Sequence, residues 1–326
     1  MMKMTSYKLG NNMLEQNNIQ SFALDYENNR FGSSLAIFAD CFEWMIRIDP
    51  NSIHAIVTDP PYAVKDFDPA QLKKRKNGNG GIWRIPPSFD GNKRAPMPRF
   101  TALNKRERNR LQQFFSYWAK LALKILRPGG HLFLASNSFL AQLVFESVIH
   151  SGFEFRGQII RSVRTLRGGD RPKNAEDEFP DVCTMPRGCY EPWGLFRKPI
   201  PKGMKVSDCL REFETGGLRR KSNGMPFEDI IESERTSKKE RMIANHPSLK
   251  PQAFMRQIVF AALPLGKGVI LDPFMGSGST IAAAEAVGYQ SIGIERYREF
   301  YALSLEAIPK LSKLITGHEQ LALALT

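Results

Sequence analysis

Two apolar runs along the chain predict buried strands, and the first of them ends abruptly. It covers Ile53–Val57, which is rich in the β-branched residues typical of a buried strand. Asp59-Pro60-Pro61-Tyr62 follows it. Because proline neither donates to a β-ladder nor continues a helix, the strand must end and the next residues form a stiff extended turn. The pattern predicts a carboxylate and an aromatic ring fixed at the C-terminal edge of a sheet.

The second run begins a longer unit much later in the chain. Gly268–Asp272 has a buried-strand pattern, residues 273–280 form a glycine-rich loop, and Ile281–Val287 has the alanine content of a helix. Ser291–Ile294 is a further short strand, and Glu295 follows it. Glycines let a backbone approach a ligand closely, and an acid after the second strand can accept hydrogen bonds from ribose hydroxyls. The unit predicts a nucleoside site.

Each motif alone also has a simpler interpretation. The first is compatible with a strand that ends in a proline-rich turn, with Asp59 as a turn residue and Tyr62 as packing. The second is compatible with a tight strand–helix turn that binds nothing. It lacks the third small residue of a dinucleotide fingerprint, because Ile281 stands there, and it lacks the Gly-Lys-Ser/Thr of a phosphate loop. The presence of both motifs in one chain favours the functional interpretation.

Together, the two motifs resemble those of S-adenosylmethionine-dependent amino-methyltransferases of DNA. That family carries Asp/Asn/Ser-Pro-Pro-Tyr/Phe as its catalytic motif and Phe-x-Gly-x-Gly as its cofactor motif, which stand here as Asp59–Tyr62 and Phe274–Gly278. The catalytic motif comes first, as in the circularly permuted β group of these enzymes. Three further segments resemble that group, the first and last with one substitution each: Ala39-Asp40-Cys41, Leu126–Leu134 and His246–Pro251.

The resemblance implies an α/β, Rossmann-like fold with a mixed, mostly parallel sheet flanked by helices, and a small target-recognition region. It implies direct methyl transfer to a base flipped out of the duplex. Asp59 and the Pro60 carbonyl accept hydrogen bonds from the base amino group, Tyr62 stacks on the base, and Pro61 completes the catalytic motif. The cofactor is S-adenosylmethionine. The residues implied to bind it are Asp40, Lys250, Asp272, Phe274, Gly276, Gly278, Ser279 and Glu295.

The motif order also predicts how the chain is divided. We expect residues 1–33 to form an N-terminal arm and residues 34–164 to form the catalytic half of the methyltransferase domain. That half includes a basic mobile loop over residues 63–105. Residues 165–243 are expected to form the target-recognition region, and residues 244–326 the cofactor-binding half.

The formal net charge of +13 lies mainly in two segments with little regular patterning. Residues 63–110 carry +9, from 13 basic and 4 acidic side chains, and residues 156–256 carry +7, from 21 and 14. Lys and Arg neutralise phosphates, so segments that flank a catalytic motif with this charge predict double-stranded DNA as the partner. The predicted DNA-binding residues are Lys73, Lys74, Arg75, Lys76, Arg167, Arg171, Arg219, Arg220 and Lys221.

Other chemistry is not indicated by the composition. The four cysteines are scattered and the five histidines show no ligand spacing, so we predict no metal site. No run of about 20 apolar residues exists, which predicts no membrane span. We expect a cytoplasmic, prokaryotic protein associated with the nucleoid.

An aspartate at the first catalytic position favours adenine N6 as the methylated atom, because serine there is more typical of cytosine-N4 enzymes in the resembled family. Cytosine N4 is the alternative, since both bases offer a planar exocyclic amine. A nucleotide-binding oxidoreductase is a distant alternative. A homodimer and a restriction endonuclease or defence-system partner are left open.

Overall fold

The computed structural model describes residues 19–61, 103–163, 171–172, 174–246 and 248–316. Within these ranges the strands form one sheet. The strands are β1 (Asn28–Phe31), β2 (Ser34–Phe38), β3 (Ile53–Thr58), β4 (Leu126–Ala135), β5 (Glu154–Ser162), β6 (Tyr190–Arg197), β7 (Ile230–Glu232), β8 (Val269–Asp272) and β9 (Gln290–Glu295). A 3₁₀ helix covers Ile19–Ala23, and the α-helices are α1 (Cys41–Arg47), α2 (Lys105–Ile125), α3 (Ala141–His150), α4 (Val206–Glu212), α5 (Lys238–Ile243), α6 (Gln252–Ala262), α7 (Ser279–Val287) and α8 (Arg298–Ser312).

The strand order is β1-β2-β9-β8-β3-β4-β6-β5-β7. The five strands from β2 to β4 in this order are mutually parallel, whereas β1 and β6 run antiparallel to their neighbours and β7 is parallel to β5. The chain leaves β3 toward β4 on one side and leaves β8 toward β9 on the other. The switch point of the topology therefore lies between β3 and β8, where open α/β sheets form a ligand crevice.

Both faces of the sheet are covered by helices. Along β3, Ile56 packs into a core with α1, α2 and α3, whereas Ala55 and Val57 pack into a second core with α6 and α7. This alternation follows from the two-residue period of a strand. A third cluster holds α8 against α7 and β2. Because β3 is buried on both sides, its sequence is a continuous apolar run with little alternation of polarity.

The elements predicted from apolar periodicity are confirmed. The strands at residues 53–57, 268–272 and 291–294 correspond to β3, β8 and β9, and the predicted helix at 281–287 corresponds to α7. Asn104 caps α2 through a capping box with Glu107, which is why this helix begins where its apolar period starts. The mostly parallel sheet confirms the predicted fold class. Among the described residues, no helix is both long and apolar enough to cross a bilayer.

Two features of the structure lie within the predicted divisions of the chain, which stay predictions. Within the segment expected to be an N-terminal arm, the 3₁₀ helix buries Ile19 in the core and β1 pairs antiparallel with β2. Within residues 165–243, β6 lies between β4 and β5, so the expected target-recognition region contributes to the central sheet. The place of β6 arises from pairing with distant residues of β4, which local periodicity does not encode, whereas β1 forms a short hairpin with β2 and lacks an apolar pattern.

The missing third glycine of the cofactor loop is compensated on the neighbouring strand. A Cβ on Gly293 of β9 would lie 2.7 Å from Ile281 Cγ1 and would collide with Met275 Sδ. The absence of a side chain at Gly293 therefore makes room for the branched side chain of Ile281. Ile281 therefore packs closely against β9, although it is not the small residue that a dinucleotide fingerprint has at this position.

Candidate active site

Four carboxylates follow neighbouring strands at one edge of the sheet. Asp40 comes shortly after β2, Glu295 ends β9, Asp272 ends β8 and Asp59 follows β3. These strands are adjacent and parallel, and Phe38 of β2 is paired in register with Glu295. The fold thus brings the two sequence motifs, more than 200 residues apart, to the same C-terminal edge.

A buried hydrogen bond joins the two motifs directly. Thr58 Oγ1 donates to Asp272 Oδ1 at 2.7 Å, and the same oxygen accepts from the Phe274 amide at 3.1 Å. Burial raises the pKa of Asp272 to about 6, while hydrogen bonds from Thr280 and Thr58 act in the opposite direction. Asp272, predicted to bind the cofactor, therefore fixes the end of β8 to the end of β3.

Glu295 holds the glycine loop in place. Its Oε2 accepts from the Gly276 amide at 2.9 Å, and its Oε1 accepts from the Tyr297 amide at 2.8 Å. Burial raises the pKa of this carboxyl, and the backbone amides partly offset that effect. The loop is also tied to β9 by the Met275 amide, which donates to the Ile294 carbonyl at 3.0 Å.

The glycines of this loop are favoured by their backbone conformation and by packing within the protein. Gly278 has φ +85°, and a Cβ there would collide with Ile308 of α8. Gly276 has φ +54°, and a Cβ there would lie 3.1 Å from the imidazole of His246. The sequence had attributed both glycines to close approach of a ligand. The structure adds protein side chains that also lie close to both positions, and the approach of a ligand stays a prediction.

Asp40 and Phe274 lie beside the loop. Asp40 caps α1 by accepting from the Phe42 amide at 2.8 Å, and Arg296 Nη1 lies 3.7 Å from its second oxygen. The ring of Phe274 packs against Trp118 and Phe114 of α2, with centroid distances of 5.8 and 6.2 Å. Helix α2 therefore supports the loop from one side through aromatic contacts.

Lys250, which the resemblance assigned to the cofactor, contacts the catalytic motif. Its ammonium lies 2.5 Å from Asp59 Oδ2 and 3.3 Å from Glu191 Oε1. Burial lowers the pKa of Lys250, but the carboxylates of Asp59 and Glu191 outweigh that effect and leave it above its usual value. The Lys250 amide also donates to Ser279 Oγ at 3.3 Å, so Ser279 connects this segment to the start of α7.

Sequence reasoning missed Glu191 and Arg161. Arg161 Nη1 lies 2.9 Å from Glu191 Oε2, and Trp193 Nε1 donates to Glu191 Oε1 at 3.1 Å. The available signal was an acid at the start of the strand Tyr190–Arg197. It was missed because only strand pairing shows that this strand reaches the edge that holds Asp59.

Some residues of the remaining catalytic and DNA-binding predictions are described by the structure, and others lie outside the described ranges. Pro60 is buried and Pro61 is exposed directly after Asp59. Several predicted residues lie outside the described residues: Tyr62, Lys73, Lys74, Arg75, Lys76 and Arg167. Arg171 is described and exposed.

Arg219 lies at the opposite edge of the sheet from Asp59. Its guanidinium stacks on Phe260, 4.3 Å from the ring centroid, and donates to Tyr289 Oη at 2.5 Å. Tyr289 directly precedes β9 and so marks the N-terminal edge. Arg220 donates to the Gly224 carbonyl at 3.1 Å, and Lys221 pairs with Glu228 at 2.6 Å. These contacts of Arg219, Arg220 and Lys221 involve no residue of the catalytic edge.

A different group of cations does lie at that edge. Helix α2 leads directly into β4, so its C-terminal end lies where β4 begins and its N-terminal end lies on the Asp59 side. The packing of Phe114 against Phe274 agrees with this direction. Four exposed basic residues occupy the first two turns of the helix: Lys105, Arg106, Arg108 and Arg110.

Comparisons with known proteins agree with this arrangement. The family model for DNA methylases matches residues 53–306. A Type II methyltransferase of Haemophilus influenzae, M.HindIII, is 24% identical over 286 residues, which covers 80% of this chain and 91% of that protein. The structure of M1.HpyAVI in complex with SAM has a TM-score of 0.50 at 17% identity, and the match covers 86% of this chain and 98% of that one. The cytosine-N4-specific PvuII DNA methyltransferase has a TM-score of 0.53 at 14% identity, with 87% and 88% covered.

Because the two solved structures are only 17% and 14% identical to this chain, their similarity establishes the fold alone. The family match covers both motifs and most of the chain between and around them. This chain therefore belongs to the N6/N4 DNA methylase family.

Proposed function

We propose that this chain transfers a methyl group from S-adenosylmethionine to N6 of adenine in double-stranded DNA. One observation carries the proposal: Asp59 stands beside the glycine loop, and the 2.7 Å bond between Thr58 and Asp272 joins their two strands. A carboxylate suited to orient an amino group thus adjoins a loop suited to a nucleoside. Both lie at the switch point of the sheet.

The chemistry of the edge fits this cofactor. Asp40 and Glu295 follow neighbouring strands and supply carboxylate oxygens for ribose hydroxyls, while Phe274 supplies an apolar ring beside them. The loop has no lysine of the phosphate-binding type, which agrees with a nucleoside that carries no phosphate. When bound, S-adenosylmethionine supplies an electrophilic methyl group on a positively charged sulfur.

Asp59 compensates for the weak nucleophilicity of the amino nitrogen of the base. The lone pair of an exocyclic amino nitrogen is delocalised into the ring. Hydrogen bonds from this amino group to the Asp59 carboxylate and the Pro60 carbonyl favour a tetrahedral nitrogen with a directed lone pair. With S-adenosylmethionine bound, the nitrogen–carbon bond would form as the sulfur–carbon bond breaks, and the electron pair of the broken bond would stay on the departing neutral thioether. The nitrogen would gain positive charge, which the Asp59 carboxylate stabilises, and one amino proton would then pass to solvent. Stacking of the base on Tyr62 stays a prediction.

Cytosine N4 is the second candidate. The fold likeness to a cytosine-N4-specific enzyme supports it, and Asp59 can accept hydrogen bonds from either amino group. Adenine is favoured by the aspartate at the first position of the catalytic motif. The experiment is to incubate the protein with duplex DNA and S-adenosylmethionine, digest the DNA to nucleosides and separate them by mass. N6-methyladenine supports the proposal, and N4-methylcytosine alone supports the second candidate. The absence of both products would overturn both candidates.

Methylation at a defined sequence is part of the proposal, supported by likeness to a protein named as a Type II methyltransferase. Methylation-aware sequencing of DNA from cells that express the protein tests this point. Modified bases confined to one short motif support site specificity, whereas scattered modification contradicts it. A homodimer and a restriction endonuclease or defence-system partner stay predictions.

A further inference from the structure

Four charged side chains of alternating sign cross the sheet to the catalytic motif. Arg161 on β5 pairs with Glu191 on β6 at 2.9 Å, Glu191 faces Lys250 at 3.3 Å, and Lys250 pairs with Asp59 at 2.5 Å. The strands β5 and β6, the residue after β3 and the segment before α6 contribute one member each. We define this set as the charge chain.

The charge chain is held in one arrangement by further contacts. Arg161 Nε donates to Ser233 Oγ at 3.0 Å, and its guanidinium lies over the ring of Phe254 at 5.2 Å. Both oxygens of Glu191 are engaged, Oε2 by Arg161 and Oε1 by Trp193 and Lys250. A carboxylate fixed at both oxygens gives Lys250 a defined anchor on the side away from Asp59.

Because the side chains of the charge chain are largely buried, the alternation of their charges is important for stability. The side chains of Arg161, Glu191, Lys250 and Asp59 are 7%, 20%, 12% and 14% exposed. Removing one partner from a buried ion pair leaves the other charge uncompensated, which is strongly unfavourable. Lys250 faces two carboxylates, so its single charge is shared between them and Asp59 is only partly neutralised.

We propose that Glu191 is a positioning residue for methyl transfer, which holds Lys250 against Asp59 Oδ2 and so keeps the Asp59 carboxylate oriented for the base amino group. The inference rests on the proposed role of Asp59 and extends it to a strand that the sequence placed in the target-recognition region. It also assigns the Lys250 side chain a role at the Asp59 carboxylate, in addition to the hydrogen bond from the Lys250 amide to Ser279.

The charge state of Lys250 provides a readout that a purely structural role would not change. The charged and titratable groups that face it are Asp59, Glu191, Arg161 and His246. Burial lowers the pKa of His246 to about 4, so this ring is neutral in the neutral and alkaline range. Without the Glu191 charge, less electrostatic attraction opposes the effect of burial on the pKa of Lys250. The pKa should fall, so that Lys250 loses its proton at lower pH.

The test compares Glu191→Gln with the wild type by steady-state methylation of duplex DNA between about pH 7 and 9.5. We expect kcat to fall about tenfold to a hundredfold, with KM for S-adenosylmethionine within about twofold. Because the pKa of Lys250 in the wild type is raised above 10.5, its alkaline limb of kcat falls beyond this range, and in the variant the limb should move to lower pH and into the range. The matched control is Glu154→Gln, which breaks the 2.6 Å ion pair with Arg197 at the other end of the same strand pair. It should leave both kcat and the pH profile unchanged.

A folded Glu191→Gln protein with wild-type kcat and pH profile would overturn the role of Glu191. An inactive wild-type protein would instead overturn the proposed function. Glu191→Asp serves if the glutamine variant does not fold: it keeps the charge but shortens the reach to Lys250, so kcat should fall while the alkaline limb stays in place. A wild-type kcat in that variant would equally overturn the role.

Discussion

A single threonine side chain links the two sequence motifs in this fold. Thr58 ends β3 and its hydroxyl donates to Asp272, which ends β8 and also accepts from the Phe274 amide. The two halves of the site therefore share one buried carboxylate. An unsatisfied buried acceptor costs free energy, so the loss of the hydroxyl should be measurable in stability as well as in activity.

Thr58→Val should lower the free energy of unfolding by about 1–2 kcal/mol, because Asp272 loses a buried donor while the volume of the side chain is kept. Urea denaturation measures the change. Thr58→Ser is the matched control, since it retains the hydroxyl and should keep most of the stability. Equal losses in the two variants would show that the methyl group, rather than the hydrogen bond, matters.

The position of Asp59 was predictable because two prolines end a buried strand, and that rule is local. The partners of Asp59 were not predictable in the same way. Glu191 belongs to a strand whose place beside β4 is set by pairing with residues about 60 positions earlier. The sequence around Glu191 carries no sign of that register, so the charge chain appears only in the folded protein.

Helices α7 and α8 are packed together through Gly278. This glycine precedes α7 in the left-handed region, and a Cβ there would collide with Ile308 of α8. The sequence predicts that a side chain at 278 weakens cofactor binding. The structure adds a packing cause that acts in the absence of any ligand.

Gly278→Ala should lower the free energy of unfolding by about 2–4 kcal/mol, from backbone strain together with overpacking. The matched control is Gly288→Ala at the other end of α7, where φ is +78° and nothing lies within 4 Å of the added Cβ. That variant should cost only about 1–2 kcal/mol of backbone strain. Equal costs in urea denaturation would contradict the packing role of Ile308.

The N-terminal end of α2 should contact DNA phosphates. Arg106→Gln combined with Arg110→Gln should weaken DNA binding and reduce the slope of log affinity against log salt by about 1–2. Lys120→Gln on the same helix is the control, because it lies nearer the opposite edge and should leave the slope unchanged. Fluorescence anisotropy at several salt concentrations measures both. An unaltered slope in the double variant would place the DNA elsewhere.

Local patterns predicted β3 and the unit β8–α7–β9, because each has its period and its end signals within a short stretch. They did not predict β1, whose residues Asn28 and Arg30 are polar and which is a strand through pairing with β2. Nor did they predict that β6 stands beside β4. The partners of β6 in β4 are distant in sequence, so no short window along the chain reports them, whereas β1 pairs with the adjacent strand β2 and was missed because it lacks an apolar pattern.

Three histidines make the whole molecule sensitive to acid. Burial lowers the pKa of His54 and His246 to about 4 and that of His131 to about 3, from 6.5. The unfolded chain therefore binds protons that the folded protein does not, so this contribution to stability is present above pH 6.5 and is lost as pH falls through the folded pKa values. The pKa of Asp272 is raised from 3.8 to about 6, so between these values the folded protein binds a proton that the unfolded chain does not. The contribution of Asp272 to stability therefore increases as pH falls through this range.

The net expectation is a lower free energy of unfolding as pH decreases from 6.5 to about 4. Urea denaturation at several pH values measures it. His131→Gln should flatten the dependence, because the largest of the three shifts is removed. A denaturation midpoint that stays constant over this range in the wild type would contradict the assignment of neutral, buried imidazoles.

The central claim is that Asp59 orients the base amino group while the glycine loop binds the cofactor independently. The most direct measurement pairs two readouts on Asp59→Ala: transfer of labelled methyl groups to duplex DNA, and calorimetric affinity for S-adenosylmethionine. We predict that transfer falls by at least about a thousandfold while the affinity stays within about threefold. A folded variant that methylates DNA at a rate comparable to the wild type would contradict the account.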